Sequence, residues 1–227
     1  MLKGKLAVLE GLDGSGKSTQ TPLVLELLKK DGLDVRQLSY PDYDNPSSTL
    51  VKMYLGGELG LADEVNPYAA SSFYAVDRYA SYVTAWRDDF LNGKCFLATR
   101  YSTSNIIYQM SKLPKSEWDA YIDWVCDYEY NKLGLPKPDT VVLLKISPEM
   151  SAKQVLSRYE GDDSKKDVHE SNFAFMNRCF ECASYAAKKL GWTIIECCDG
   201  DNMRSIPQIT QDIYFSLVKL FKDGDEK

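Results

Sequence analysis

The chain has 227 residues, of which 44% are hydrophobic and 26% are charged, and these proportions exclude a disordered chain, a collagen-like repeat and a small disulfide-held protein. Its 27 Lys and Arg residues stand against 33 Asp and Glu residues, a net charge of −6, so no overall positive field attracts duplex nucleic acid or an anionic membrane. At about 150 residues per domain, the length allows one large domain or two small ones.

Neither export nor membrane insertion is expected. The apolar run before Glu10 has four residues, fewer than the roughly 7 to 15 of a signal-peptide core. The longest apolar run, TVVLLKI, is interrupted by Lys145 and falls short of the roughly 18 residues of a membrane span. The six cysteines are expected to be reduced, and with His169 as the only histidine a zinc site is disfavoured. We therefore expect a cytoplasmic protein.

In chain order, short runs of apolar and β-branched residues alternate with longer segments of helical periodicity, the pattern of an α/β protein. Strands are predicted at LAVLE (Leu6 to Glu10), DVRQLSY, CFLAT (Cys95 to Thr99), TVVLLKI (Thr140 to Ile146) and TIIE (Thr193 to Glu196). Helices are predicted at about Gly16 to Lys30, Tyr68 to Phe90, Lys115 to Lys132, Phe173 to Lys189 and Ser205 to Phe221. Because neither an internal repeat nor a low-complexity linker is found, residues 1–227 are expected to form one domain around a doubly wound five-stranded parallel sheet.

A glycine-rich segment, GLDGSGKST, lies between the first predicted strand and the first predicted helix, and from Gly11 to Ser18 it fits the pattern GxxxxGK[ST]. Gly14 and Gly16 lack a Cβ, so the loop can adopt positive φ and turn its N–H groups toward phosphate oxygens. Lys17 supplies a positive charge to the β- and γ-phosphates, and the Ser18 hydroxyl is placed to ligate Mg²⁺. The predicted ATP-binding residues of this loop are Gly11, Asp13, Gly14, Ser15, Gly16, Lys17, Ser18 and Thr19.

Four further segments, SYPDYDNPSS, SFYAVDRYAS, TRYSTSNIIYQ and KDVHESNFAF, resemble those of thymidylate kinases in order and approximate spacing. The resemblance extends from Leu6 to about Gly200 and is greatest to a bacterial subgroup with YPDY or FPDY in place of FPxR. It implies a P-loop, nucleoside monophosphate kinase-like fold with a small lid, and a homodimer. The implied reaction transfers the γ-phosphoryl group of ATP, with Mg²⁺, to dTMP and yields dTDP and ADP.

The resemblance also implies a base site on the long predicted helix. Arg78 is expected to hydrogen-bond the pyrimidine while Tyr74, four residues earlier on the same helix face, stacks on the base. From the residues alone, packing of Tyr74 and an ion pair of Arg78 with Asp77 or another surface acid remain open, with Phe73 and Tyr79 expected in the core.

The acceptor phosphate is expected to bind Arg100, which follows the third predicted strand at the carboxyl edge of the sheet. By resemblance, Asn105, Tyr108 and Gln109 contact the base and deoxyribose, and the bulk of Tyr108 excludes a 2′-hydroxyl. The other residues assigned to the acceptor site are Glu10 and Tyr43.

A lid is predicted from about Arg158 to Phe173, where charged residues and a glycine are concentrated. Some thymidylate kinases carry an arginine inside the phosphate loop, but this loop has DGS at 13–15. The compensating cation is therefore expected from the lid, and Arg158 is preferred to Lys165 and Lys166 because a guanidinium bridges two phosphates bidentately. The predicted catalytic residues are Lys17, Arg100, Arg158 and Asp13.

The segment after the fifth strand, Cys198 to Met203, is implied to line the adenine, with Gly200 allowing a close approach. Two positions depart from the family pattern: Thr99 replaces an aspartate that helps to hold Mg²⁺, and Tyr43 replaces an arginine for the acceptor phosphate. Thr99 leaves open whether Asp13 or Glu10 supplies the carboxylate, or whether the protein is a nucleotide-binding module with weakened catalysis. A deoxynucleoside kinase, which needs no arginine for an acceptor phosphate, is the other alternative.

Overall fold

The protein is described by a computed structural model over residues 3–61, 64–158, 173–200 and 202–222, without the side chains of residues 156–158. Within these ranges, parallel strands form a sheet in the order β2-β3-β1-β4-β5. The strands are β1 (Leu6–Gly11), β2 (Val35–Ser39), β3 (Cys95–Thr99), β4 (Thr140–Lys145) and β5 (Thr193–Glu196). The predicted five-stranded parallel sheet is therefore confirmed.

Successive residues of the central strand β1 face opposite layers of helices, as the period of two in a strand requires. Ala7 and Leu9 pack in a core with residues of α1 and α9, whereas Leu6 and Val8 pack in a second core with residues of α5, α6 and α8. Both faces of the sheet are thus covered, which explains why its central strands read as continuous apolar runs. The helices are α1 (Lys17–Lys30), α2 (Thr49–Leu55), α3 (Pro67–Ser81), α4 (Arg87–Leu91), α5 (Ser102–Tyr108), α6 (Trp118–Cys126), α7 (Pro148–Arg158), α8 (Phe173–Leu190) and α9 (Ile206–Lys222).

The helix that carries the SFYAVDRYAS segment begins at a well-formed cap. Asn66 accepts hydrogen bonds from the N–H groups of Tyr68 and Ala69, and Pro67 occupies the first helical position. A π-helical turn at Tyr82–Trp86 joins α3 to α4, so the chain is helical from Pro67 to Leu91. The predicted helix from Lys115 to Lys132 consists of a 3₁₀ turn, α6 and a second π-helical turn at Asp127–Lys132.

The elements that were not predicted include α2, α7 and a two-stranded hairpin of β6 (Cys198–Asp199) and β7 (Asn202–Met203). Helix α7 ends at Arg158, where the lid was predicted to begin. The rest of the predicted lid, including Lys165 and Lys166, lies outside the described residues, as does the side chain of Arg158. In the part of the chain that is described, no helix has the length and apolar character needed to cross a bilayer.

Candidate active site

The loop between β1 and α1 has the backbone conformation that its glycines predict. Gly14 and Gly16 have φ values of 77° and 91°, and Gly16 caps the start of α1. The buried ammonium of Lys17 donates to the carbonyl oxygens of Gly11 at 2.7 Å and Leu12 at 2.9 Å. Ser18 is exposed in the first turn of α1, where unpaired backbone N–H groups favour an anion.

Beside this loop, a cleft of about 200 Å³ opens at the carboxyl ends of β1 and β3. Asp13 of the loop lines one wall, together with nearly all of the residues predicted for the acceptor site. Those residues are Tyr43, Tyr74, Arg78, Arg100, Asn105, Tyr108 and Gln109. The structure therefore brings together, in one concave site, residues from four separate segments of the chain.

Arg100 joins the phosphate loop to the cleft. Its guanidinium forms an ion pair with Asp13 and lies 4.9 Å from the centre of the Tyr108 ring. Burial opposes the charge of Arg100, but Asp13 and Tyr108 outweigh it and raise the pKa of Arg100 well above its ordinary value. Arg100 is also the only non-glycine residue with positive φ in the described ranges, at 63°, a conformation that costs about 1–3 kcal/mol and is concentrated at functional sites.

Glu10 does not line the cleft. Its fully buried carboxylate accepts hydrogen bonds from the Tyr101 N–H at 3.2 Å, the Thr103 hydroxyl at 2.6 Å and the Ser104 hydroxyl at 2.9 Å. Glu10 thus ties β1 to the start of α5 directly after Arg100. This position makes Glu10 a support for the Arg100 loop, with Asp13 the carboxylate of the cleft itself.

The YPDY segment is held against α3 by one buried carboxylate. Asp77 accepts from the Asp42 N–H at 2.9 Å and from the Ser47 hydroxyl at 2.6 Å. These bonds leave Tyr43 at the cleft, with 48% of its surface exposed.

Arg78 is buried, with only 2% of its surface exposed, and its partner is Glu129 rather than Asp77 or a surface acid. The prediction that Tyr79 belongs to the core is wrong, since 42% of its surface is exposed. Helix α3 turns Asp77 and Arg78 inward because each finds polar partners inside the protein, and this rotation leaves Tyr79 outside.

The segment implied to line the adenine is the β6–β7 hairpin, with Gly200 in its turn at a φ of 56°. A surface groove runs along this hairpin to Gln208. The start of α9, which follows the groove, is bonded to α1. Gln20 of α1 donates to the Ile206 carbonyl at 3.2 Å and accepts from the Thr210 hydroxyl at 2.6 Å. The groove therefore lies next to the helix that follows the phosphate loop.

The residues of the cleft and its support that were not predicted from the sequence include Ser104 and Glu129. Ser104 lines the cleft, and Glu129 holds two lining residues from behind. Glu129 carried a signal, since it follows Val125 by four residues and continues the buried stripe of α6, which includes Tyr121 and Ile122, into the π-helical turn. An acid at a core position of a helix requires a buried partner.

A model of the family described as thymidylate kinase matches residues 9–199. The chain belongs to the thymidylate kinase family. Among its relatives, a thymidylate kinase of Mycobacterium tuberculosis is 30% identical over 181 residues, 76% of this chain and 81% of the relative. Thymidylate kinases of Homo sapiens and Plasmodium falciparum are 26% and 25% identical, with 99% of this chain covered in both cases and 95% and 94% of the relatives.

A solved structure of thymidylate kinase from Candida albicans is similar over 98% of this chain and 94% of its own length, with a TM-score of 0.69 at 22% sequence identity. This likeness agrees with the predicted P-loop kinase fold. Membership of a kinase family confirms the prediction that the chain is a phosphotransferase enzyme of the thymidylate kinase type.

Proposed function

We propose that the chain transfers the γ-phosphoryl group of ATP to the 5′-phosphate of dTMP, giving dTDP and ADP. The observation that carries this proposal is the ion pair between Arg100 and Asp13, because it joins the phosphate loop to the floor of the acceptor cleft. A phosphate on Arg100 and a polyphosphate on the loop would therefore meet at one point, as in-line transfer requires.

The residues have distinct roles in this proposal. The backbone of Gly11 to Thr19 and the ammonium of Lys17 bind the ATP phosphates, while Arg100 grips the acceptor phosphate through its paired N–H groups. An acceptor oxygen then forms a bond to the γ-phosphorus as the bond to the β-phosphate oxygen breaks. Arg158, with Lys165 and Lys166, is assigned to neutralise the negative charge that spreads over the equatorial oxygens. Gly200 is assigned a place beside the adenine.

The chain offers oxygen donors that suit the Mg²⁺ assigned to ATP. Magnesium prefers hydroxyl, carboxylate and phosphate oxygens, and these would come from the exposed Ser18 hydroxyl, from Asp13 and from ATP. Among the described residues, Asp13 is the one carboxylate that lines the cleft. When bound, Mg²⁺ would neutralise charge on the transferring phosphates.

On the base side, Tyr74 is proposed to stack on the pyrimidine while Arg78, Asn105 and Gln109 contact its polar edge. Tyr108 is assigned the exclusion of a 2′-hydroxyl. Burial raises the pKa of the Tyr108 phenol well above its ordinary value, so this group stays a neutral donor beside Arg100.

Finer assignments are part of the same proposal. The YPDY segment supports the bacterial subgroup, and an exposed apolar pair on α3, Val76 and Tyr79, supports a homodimer. None of the six cysteines forms a disulfide in the described structure, which supports a cytoplasmic location. Residues 1–227 would form one kinase domain whose lid lies at about 158–173, with ATP and dTMP as its partners and no role for nucleic acid or membranes.

The experiment that tests this function is an ADP-release assay with dTMP, dUMP or thymidine as acceptor, on the unaltered chain and on Arg100→Ala. We expect phosphorylation of dTMP and a loss of about 100-fold or more in kcat/KM for Arg100→Ala, because the acceptor oxygen is no longer held in line. ATP affinity should change little. Arg36→Ala is the matched control, since that exposed arginine pairs with Asp89 away from the cleft.

Two results would contradict the proposal in different ways. Turnover of thymidine that Arg100→Ala leaves intact would indicate a deoxynucleoside kinase. Binding of ATP with no turnover of any acceptor would indicate a nucleotide-binding module.

A further inference from the structure

A buried carboxylate lies behind the base side of the cleft and bonds two of its lining residues. Glu129 has no exposed surface and follows α6 within the π-helical turn at Asp127–Lys132. It reaches Arg78 on α3 and Asn105 on α5. We infer that Glu129 is a positioning residue that sets base selectivity by fixing which hydrogen-bonding atoms Arg78 and Asn105 offer to a ligand.

The contact with Arg78 is bidentate and uses one side of the guanidinium. Nε of Arg78 donates to Oε2 of Glu129 at 2.8 Å, and Nη2 donates to Oε1 at 2.6 Å. A guanidinium carries five N–H donors in a rigid plane, so the N–H groups on its far side, at Nη1 and Nη2, remain for a ligand. Arg78 lines the cleft, and because a guanidinium has no acceptor atom, it offers only donors to a ligand.

The contact with Asn105 fixes which way its amide faces. Nδ2 of Asn105 lies 2.9 Å from Oε1 of Glu129 and 3.2 Å from the Ser71 carbonyl oxygen. Both neighbours accept hydrogen bonds and neither can donate, so the amide nitrogen must face them and its two N–H groups are both used. Within the described part of the chain, Oδ1 of Asn105 and Nη1 of Arg78 have no hydrogen-bond partner.

The cleft therefore offers a donor, from Arg78, beside an acceptor, from Asn105. This pair complements a ring edge that presents an acceptor next to a donor. The O4 carbonyl and N3–H of thymine or uracil have that order, whereas cytosine presents an amino donor next to an unprotonated ring nitrogen. The inference rests on the proposed function in one respect only, that a pyrimidine occupies this cleft.

Removing the charge of Glu129 while keeping its shape should lose the selectivity. In Glu129→Gln, one of the two carboxylate oxygens becomes an NH₂ group, and at either position it faces N–H donors. At Oε2 it would face Nε of Arg78, and at Oε1 it would face Nη2 of Arg78 and Nδ2 of Asn105. The Arg78 guanidinium, the Asn105 amide or both would then turn, and the cleft would present a different pattern of donors and acceptors. We expect the Kd ratio of dCMP to dTMP, measured by calorimetry on the full chain, to fall by about tenfold or more.

Tyr130→Phe is the matched control. It removes a part-buried hydrogen bond from the same π-helical turn to α5, between the hydroxyls of Tyr130 and Ser102 at 2.6 Å, without touching Glu129. If Glu129 had a structural role alone, Glu129→Gln would lower stability in urea as Tyr130→Phe does. The Kd ratio of dCMP to dTMP would then stay unchanged in both variants. If Glu129→Gln does not fold, Glu129→Asp decides the matter, because it keeps the charge but is one methylene too short to hold both partners.

The outcomes separate this inference from the proposed function. An unchanged ratio in a folded Glu129 variant would overturn the inference, as would equal binding of dTMP and dCMP by the unaltered chain. Preferential binding of dTMP that Glu129→Gln abolishes would support it, even if the unaltered chain transferred no phosphoryl group. Failure to bind either monophosphate would overturn both.

Discussion

At the scale of single residues, Thr99, where the resemblance to thymidylate kinases implies an aspartate, has a local role in the structure. The Thr99 hydroxyl lies 3.0 Å from the Thr21 hydroxyl, which donates in turn to the Lys17 carbonyl oxygen at 2.8 Å. Thr99 therefore braces the helix that follows the phosphate loop, while Asp13 brings a carboxylate to the cleft. Glu10 is engaged with α5 and its preceding loop.

This arrangement predicts that Thr99→Asp will not raise activity. Because Asp13 already supplies a carboxylate at the cleft, a second one adds repulsion toward the phosphates and little else, and kcat should stay within about threefold of the original. The measurement is kcat with dTMP over a range of Mg²⁺ concentrations, with Thr99→Val as the control that removes the hydroxyl without adding charge. A tenfold gain with Thr99→Asp would mean that the site lacks a carboxylate.

The residues of the cleft divide by how far the sequence could predict them. Arg100 was predictable because it follows a clear strand at the carboxyl edge of a parallel sheet. The partner of Arg78 was not, because Glu129 is 51 positions away along the chain and only the packing of α6 against α3 and α5 brings them together. Tyr79 was misplaced for the same reason, since the rotation of α3 depends on buried polar partners that helical periodicity does not reveal.

At the scale of elements, α7 packs directly on the phosphate loop. A Cβ added to Gly14 would lie 2.7 Å from the Ser151 carbonyl oxygen and 3.1 Å from Cβ of Gln154. The Ser151 hydroxyl also donates to the Asp13 carbonyl oxygen. The helix that leads to the predicted lid is thus anchored on the loop that the lid is proposed to cover.

Gly14→Ala should therefore lower stability and ATP affinity by more than the positive φ of Gly14 alone would cause. Both Gly14 and Gly32 have φ near 80°, but a Cβ on Gly32 would meet no atom within 4 Å. Gly32→Ala should lower the free energy of unfolding by about 1–2 kcal/mol, the cost of a left-handed alanine. Gly14→Ala should cost more and weaken ATP binding by about tenfold or more, because the close contact moves α7 or the loop.

Urea unfolding and calorimetric titration with ATP measure both quantities. Equal stability losses in the two variants, with ATP affinity intact in Gly14→Ala, would show that α7 yields without disturbing the loop.

The elements that were predicted correctly are those with a long or unambiguous pattern. The strands CFLAT and TIIE were placed at their observed bounds, Cys95–Thr99 and Thr193–Glu196, because apolar β-branched runs between turn residues leave few alternatives. Helix α2 and the β6–β7 hairpin are short, and their periods are too brief to stand out. The π-helical turns could not be predicted, since one extra residue in a helix leaves no compositional mark.

At the scale of the whole molecule, the outer face of α3 has no cover in the described structure. Val76 and Tyr79, three residues apart on one face of this helix, are 44% and 42% exposed. On the inner face of the same helix, Asp77 holds the YPDY segment and Arg78 lines the cleft. A second copy docked on the outer face would therefore buttress the helix that shapes the acceptor site.

The proposed homodimer predicts that Val76→Lys will separate the two copies. Each lysine would be buried without a partner and would face its symmetry mate, so the loss should exceed what an exposed substitution causes. Light scattering at micromolar concentration should then give twice the mass of one chain for the unaltered protein and the mass of one chain for Val76→Lys. Phe215→Lys is the control, because Phe215 is 65% exposed on α9 and its replacement should leave the mass unchanged. The mass of one chain for the unaltered protein would show that no homodimer forms. Dissociation by Phe215→Lys but not by Val76→Lys would place the interface on α9 rather than α3.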